Sequence, residues 1–216
     1  MAGIDSHNGE CIRPIPYLNA ARCQELKLLP GRVLSGQFDF IPSREAPHTE
    51  DCFYKELHVH KPCSSAEFNT VLKNTCSPSI QQGFKVQLNH QQRYISPAAT
   101  PTKSLLTIAI NPSQLTIIAD TIDPKKIKIN FIDNDGKEYN AMAITDLGFH
   151  HYAQNHYADS HNYDEINSLL QNQQEVFLRV GLSRFYKSPQ QKEGFWIQIN
   201  GIYSFPHYFK QARQYE

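Results

Sequence analysis

The sequence predicts a mainly β chain folded as two consecutive small β-barrels with short interposed helices. Short runs rich in β-branched and aromatic residues recur along its whole length, many of them with apolar residues at every second position. Between the runs stand Pro-Gly, Asn-Pro, Asp-Pro and Asn-Asp-Gly turn signals. A stretch of small residues and prolines, PAATPTK at residues 97–103, divides the 216 residues into halves that are each long enough to bury a core.

In the first half, the turn HNG at residues 7–9 precedes the strand-like CIRPIPYL at residues 11–18. The stub ahead of it is so short that the first barrel is expected to lack or abbreviate its opening strand. Pro30-Gly31 then turns the chain into an alternating run from Arg32 through Ile41. Residues 42–49 are rich in proline and charge and read as loop, whereas CFYKELHVH at residues 52–60 reads as a further strand or an irregular edge. Residues 64–74 predict a helix, because Phe68, Val71 and Leu72 fall near helical spacing behind a serine cap. From Gly83 to residue 96 the pattern returns to strand. The expected domains are therefore residues 1–98 and 103–216.

The second half is more regular. SLLTIAI (104–110), QLTIIAD (114–120), KIKINFI (126–132) and KEYNAMAIT (137–145) each read as a strand, and Asn134-Asp135-Gly136 should join the last two as a hairpin. Residues 146–174 are polar and histidine-rich, with a helix expected at 163–170, and two strands close the chain at 176–186 and 194–205. Strands with one interposed helix in a unit this small describe a five-stranded OB-type barrel, and an SH3-like barrel fits the pattern nearly as well.

Composition narrows the function. Twenty-one basic residues balance twenty-one acidic ones, so the large positive field that non-specific wrapping of duplex DNA requires is absent globally, although a local basic groove is compatible with the sequence. No apolar run approaches the length of a membrane span, and the N-terminus lacks a basic region followed by an apolar stretch, which predicts a cytoplasmic, non-membrane protein. Five cysteines, Cys11, Cys23, Cys52, Cys63 and Cys76, are odd in number and unevenly spaced, as expected of free thiols in a reducing compartment.

No phosphate-cradling glycine loop, nucleophile elbow, zinc-protease helix or dinucleotide fingerprint occurs, so neither an enzyme nor a cofactor is expected. His58, His60, Cys63 and Cys76 lack the second close pair of a structural zinc site. His150, His151, His156 and His161 lie among Asn, Asp, Ser and Tyr, as in a solvated loop or frayed helix. Thr145-Asp146 follows a strand and suits a helix cap better than a catalytic acid. More informative are two segments free of acids. Lys85, Arg93 and Lys103 accompany His90 and Tyr94 in one, and Arg179, Arg184, Lys187 and Lys192 are interleaved with Phe185 and Tyr186 in the other. Cations that neutralise phosphates beside aromatics that stack on bases make a single-strand binding platform. Trp196 and Tyr203, seven apart, fall on opposite faces of a regular strand unless a bend at Asn200-Gly201 intervenes. Arg13, beside Pro14 in the opening strand, needs a carboxylate or phosphate partner if buried.

The opening AGIDSHNGECIRPI, SLLTIAINPSQLTI with its following lysine-rich strand, EYNAMAITDL, and LRVGLSRF with the WIQINGIY strand together resemble the dual OB-domain family of bacterial proteins, along essentially the full chain. Members of that family begin with an additional hydrophobic strand, and this chain starts almost inside the motif. Arg13, Thr145, Asp146 and Ser183 match the family pattern, which carries no catalytic residues. The resemblance implies two consecutive OB-like domains and recognition of nucleic acid or a nucleotide, in an accessory role within microbial defence or mobile-element systems. The expected function is therefore a non-enzymatic module that binds single-stranded DNA, RNA or a nucleotide. Its expected site residues are Arg13, Lys85, Arg93, Arg179, Arg184, Tyr186, Lys187 and Trp196. The alternative is a protein-interaction or scaffold subunit that holds an enzyme partner in a multi-subunit system, a role suited to balanced charge and scattered aromatics.

Overall fold

The computed structural model describes residues 1–41, 45–123 and 126–206. In chain order its elements are β1 (Gly3–Ile4), β2 (Cys11–Ile15), α1 (Ala20–Glu25), β3 (Arg32–Phe40), β4 (Asp51–Pro62), α2 (Ser65–Asn74), α3 (Ile80–Phe84), β5 (Tyr94–Ile95), β6 (Leu105–Ile110), β7 (Leu115–Ala119), β8 (Ile127–Ile132), β9 (Glu138–Ile144), α4 (Leu147–Ser160), α5 (Asp164–Gln171), β10 (Glu175–Leu182), β11 (Tyr186–Lys187) and β12 (Glu193–Phe205). They build a mixed α/β fold on two sheets. The smaller has the order β1-β2-β4-β3, and the larger runs β6-β10-β12-β9-β8-β7, with β5 and β11 attached to β12.

The expected β-barrels do not form, because neither sheet closes on itself: β6 and β7 end the larger sheet without pairing to each other. Their outward backbone groups are satisfied by other means, which removes the driving force for closure. On β7 the Ile117 N–H donates to Asn167 Oδ1 of α5 (2.7 Å), Asn167 Nδ2 donates back to the Ile117 carbonyl (3.0 Å), and Gln171 Nε2 donates to the Leu115 carbonyl (3.2 Å). On β6 the Thr107 carbonyl accepts from the Ser77 N–H (2.7 Å), and the Ala109 carbonyl accepts from Asn134 Nδ2 (3.1 Å). These are side chains and loops that alternation along a strand cannot reveal.

The helix at 64–74 is present as α2, closed by a reciprocal box in which the Glu67 N–H donates to Ser64 Oγ (3.2 Å) and the Ser64 N–H to Glu67 Oε2 (2.7 Å). The 134–136 hairpin also forms: β8 and β9 are antiparallel, and Gly136 supplies the positive φ of +74° that the turn needs. Two local expectations are corrected. Residues 146–161, expected as a solvated loop or frayed helix, form a regular helix with the expected cap at Asp146. Asp146 accepts from the Phe149 N–H (3.1 Å) and starts α4, which buries Phe149 and Ala153 one turn apart. Residues 85–89 alternate in burial without joining a sheet, since the Val86 N–H is taken by the Gln81 carbonyl (3.0 Å) and the Leu88 N–H by Gln81 Oε1 (2.8 Å). A helix not anticipated from the sequence is α1, short and capped by Asn19, which packs Cys23 with Leu18 and Leu28 under the smaller sheet.

The main core lies under the larger sheet and takes Ile80, Phe84, Val86, Leu88 and Ile95 from the segment ahead of the 97–103 stretch. Where β10 pairs with β12, the register shifts between Arg179 and Val180, which leaves Asn200 as the extra residue of a β-bulge at the expected bend. A third cluster, Leu72, Phe177 and Phe205, seats α2 on the larger sheet.

Candidate functional site

Alternation along three adjacent strands prepares an open groove on the larger sheet. In β8, Ile127 and Ile129 are buried and Lys128 points outward; in β9, Met142 and Ile144 are buried and Ala141 and Ala143 point outward; in β12, Ile197 and Ile199 are buried and Trp196 and Gln198 point outward. Register sets Lys128 beside Ala143 and Ala143 beside Gln198 in one cross-sheet row. The two alanines leave the floor low between larger side chains. The resulting groove, about 580 Å³ in volume, has Arg93, Lys128 and Arg184 as its cations and Phe185, Tyr186 and Trp196 as its aromatics.

Arg93, Lys128, Arg184 and Trp196 are each held by local contacts. β5 pairs Tyr94 with Trp196, and their rings lie 5.3 Å apart. The Trp196 N–H donates to Ser183 Oγ (2.9 Å), and its indole Nε1 donates to the Tyr186 carbonyl (3.4 Å). Arg93 donates to the Ala141 carbonyl (3.3 Å), and among the described residues no carboxylate forms an ion pair with it. Lys128 pairs with Asp120 at 3.2 Å. Arg184 donates to Asp51 Oδ2 (2.6 Å) and to the Tyr17 hydroxyl. Burial and the nearby Arg13 charge hold its guanidinium below the usual arginine range.

Of the expected site residues, the structure brings Arg93, Arg184, Tyr186 and Trp196 together in this groove. Lys187 follows on β11 and pairs with Glu193 at 3.7 Å. Lys85 caps the C-terminus of α3 and lines a separate depression with Gln81, Gln82, Val86, Gln87 and Asp135. Arg13 and Arg179 are turned inward. Arg13 donates from Nε to Asp51 Oδ1 (2.5 Å), from Nη1 to Ser104 Oγ (3.1 Å) and from Nη2 to His48 Nδ1 (2.9 Å). Burial, and after it the Arg13 charge, lower the pKa of His48. Glu50 completes the cluster by accepting from the Ser104 N–H and hydroxyl and from the Leu105 N–H at 2.6, 2.8 and 2.9 Å. Arg179, only 6% exposed, reaches Thr107 Oγ1 (3.0 Å), the Gly3 carbonyl (3.3 Å) and Cys11 Sγ (3.0 Å). Both arginines fasten one sheet to the other.

Lys128 was missed by sequence reasoning, although its place between two buried isoleucines marks it as an outward cation. Ala141, Ala143 and Gln198 carry no such mark, because only cross-strand register gives them a role. Among the described residues no group of three or more His, Cys, Asp or Glu side chains is arranged to hold a metal ion. No described helix is long and apolar enough to cross a membrane.

No curated protein and no solved structure matches the chain significantly. The model of one family, described as a dual OB-containing domain, matches residues 1–202, a description that names a fold and no reaction. By that match, over nearly the whole of its length, the chain belongs to the dual OB-containing domain family.

Proposed function

We propose that the groove binds single-stranded nucleic acid without catalysing a reaction on it. Membership of an OB-containing family supports a binding role in general. The observation that carries the finer reading is the convergence of Arg93, Lys128 and Arg184 with Trp196, Tyr186 and Phe185 over a floor of alanines. Cations spaced along an open groove neutralise phosphates, and aromatic faces beside them stack on bases of any identity. A duplex hides those base faces, so a single strand is preferred. Such a module supplies recognition while a partner supplies chemistry, which fits an accessory role in microbial defence or mobile-element systems.

Fluorescence anisotropy with labelled single-stranded and duplex DNA and RNA tests this reading. Single strands should bind better than duplexes, and Trp196→Ala should weaken binding about tenfold or more, the usual effect of removing one stacking platform. Absence of binding to every probe by a folded protein would overturn the reading and direct attention to protein partners.

A further inference from the structure

Next to the groove, on the other sheet's side of the contact, lies an aromatic ring that the groove itself does not include. Tyr17 follows β2 of the smaller sheet and is 50% exposed. Its hydroxyl accepts from the Arg184 guanidinium, whose carbon lies 5.7 Å from the ring centroid, so the cation sits at the hydroxyl end of the ring. Arg184 is at the same time a wall of the groove, beside Phe185, Tyr186 and Trp196. Asp51 pairs with both Arg184 and Arg13, and Arg13 also lies 3.9 Å from Glu50, so two guanidinium groups meet two carboxylates behind the surface. What this junction presents outward is the half-exposed Tyr17 ring beside the half-exposed, ion-paired Arg184.

We infer that the nucleic-acid track continues across the contact between the two sheets, with Tyr17 as a further stacking platform and Arg184 as the cation between the two parts. This inference rests on the groove's reading as a single-strand site and adds its extent: a strand long enough to pass Arg184 engages both sheets. Stacking on a tyrosine beside an arginine favours nucleobases of any identity over a specific sequence.

The test measures binding of single-stranded oligothymidylates about four and about twelve nucleotides long, within the range that one OB-type unit covers. The proteins are wild type, Tyr17→Ala, Tyr17→Phe and Trp196→Ala, each checked for folding by circular dichroism. Tyr17→Ala should weaken the long oligomer about tenfold and leave the short one within about twofold, Tyr17→Phe should bind both as wild type does, and Trp196→Ala should weaken both. Unchanged binding of the long oligomer by Tyr17→Ala would overturn the extension while the groove stands. Equal weakening of both lengths, or a loss in Tyr17→Phe, would overturn it by showing that Tyr17 only positions Arg184. If wild type binds neither length, the groove reading fails, and the extension fails with it.

Discussion

Arginine positions in this chain divide by what surrounds them, and charge type alone does not separate them. Arg13 and Arg179 are enclosed by carboxylate, hydroxyl, carbonyl and thiol partners drawn from both sheets, so their charges are spent on assembly, whereas Arg93 faces an open groove. Asp146 shows the same control by surroundings. Its carboxyl is pushed up to about 6 by burial, even though the N–H groups of Phe149, Ile202 and Gly148 pull it down. In the unfolded chain it titrates near its ordinary 3.8. Between those values the folded state keeps a proton that the unfolded state has released, so Asp146 contributes most to stability below pH 3.8 and its contribution falls as the pH rises through about 6. The loss is on the order of 3 kcal/mol. Urea denaturation at pH 4 and pH 7 should therefore show wild type losing stability relative to Asp146→Asn on going to the higher pH. An equal difference at both values would count against a buried, raised Asp146.

At the scale of the element, α5 acts as a substitute strand for the edge of β7. Asn167 offers both its amide groups to Ile117, in the manner of a paired residue on a neighbouring strand. Asn167→Ala removes that pairing and is expected to cost about 1–3 kcal/mol. Native-state hydrogen exchange should show the Ile117 amide exchanging faster, with little change at Val180 in the interior strand β10. The freed edge should also raise the tendency to self-associate, measurable by light scattering. If the Ile117 amide keeps its protection in the variant, some other group guards that edge.

For the whole molecule, zero net charge and a local cationic groove together set the expected salt response. Three phosphate contacts, to Arg93, Lys128 and Arg184, should give a slope of roughly −2 in a plot of log affinity for a single strand against log salt, and Lys128→Ala should make that slope shallower by about 0.7. Anisotropy across a salt series checks both values. A slope unchanged in Lys128→Ala would remove that lysine from the track.

Much of the fold could be read from local pattern, because the forces that make a strand, a hairpin or a capped helix act over a few residues. The β6 to β9 runs, the Gly136 turn, the capping box of α2 and the bulge at Asn200 all carried such signals. The candidate site was legible in part for the same reason: basic and aromatic residues crowd together in the segments around Arg93 and Arg184, and Trp196 stands in the closing strand. Closure of the sheets was not legible, since it turns on whether distant groups such as Asn167 and Ser77 occupy the edges. Nor were the inward roles of Arg13 and Arg179, whose partners Ser104 and Thr107 lie far away in the chain. Local sequence sets which way a side chain points from its own strand; only the packing of one sheet against another decides whether water or a carboxylate waits there.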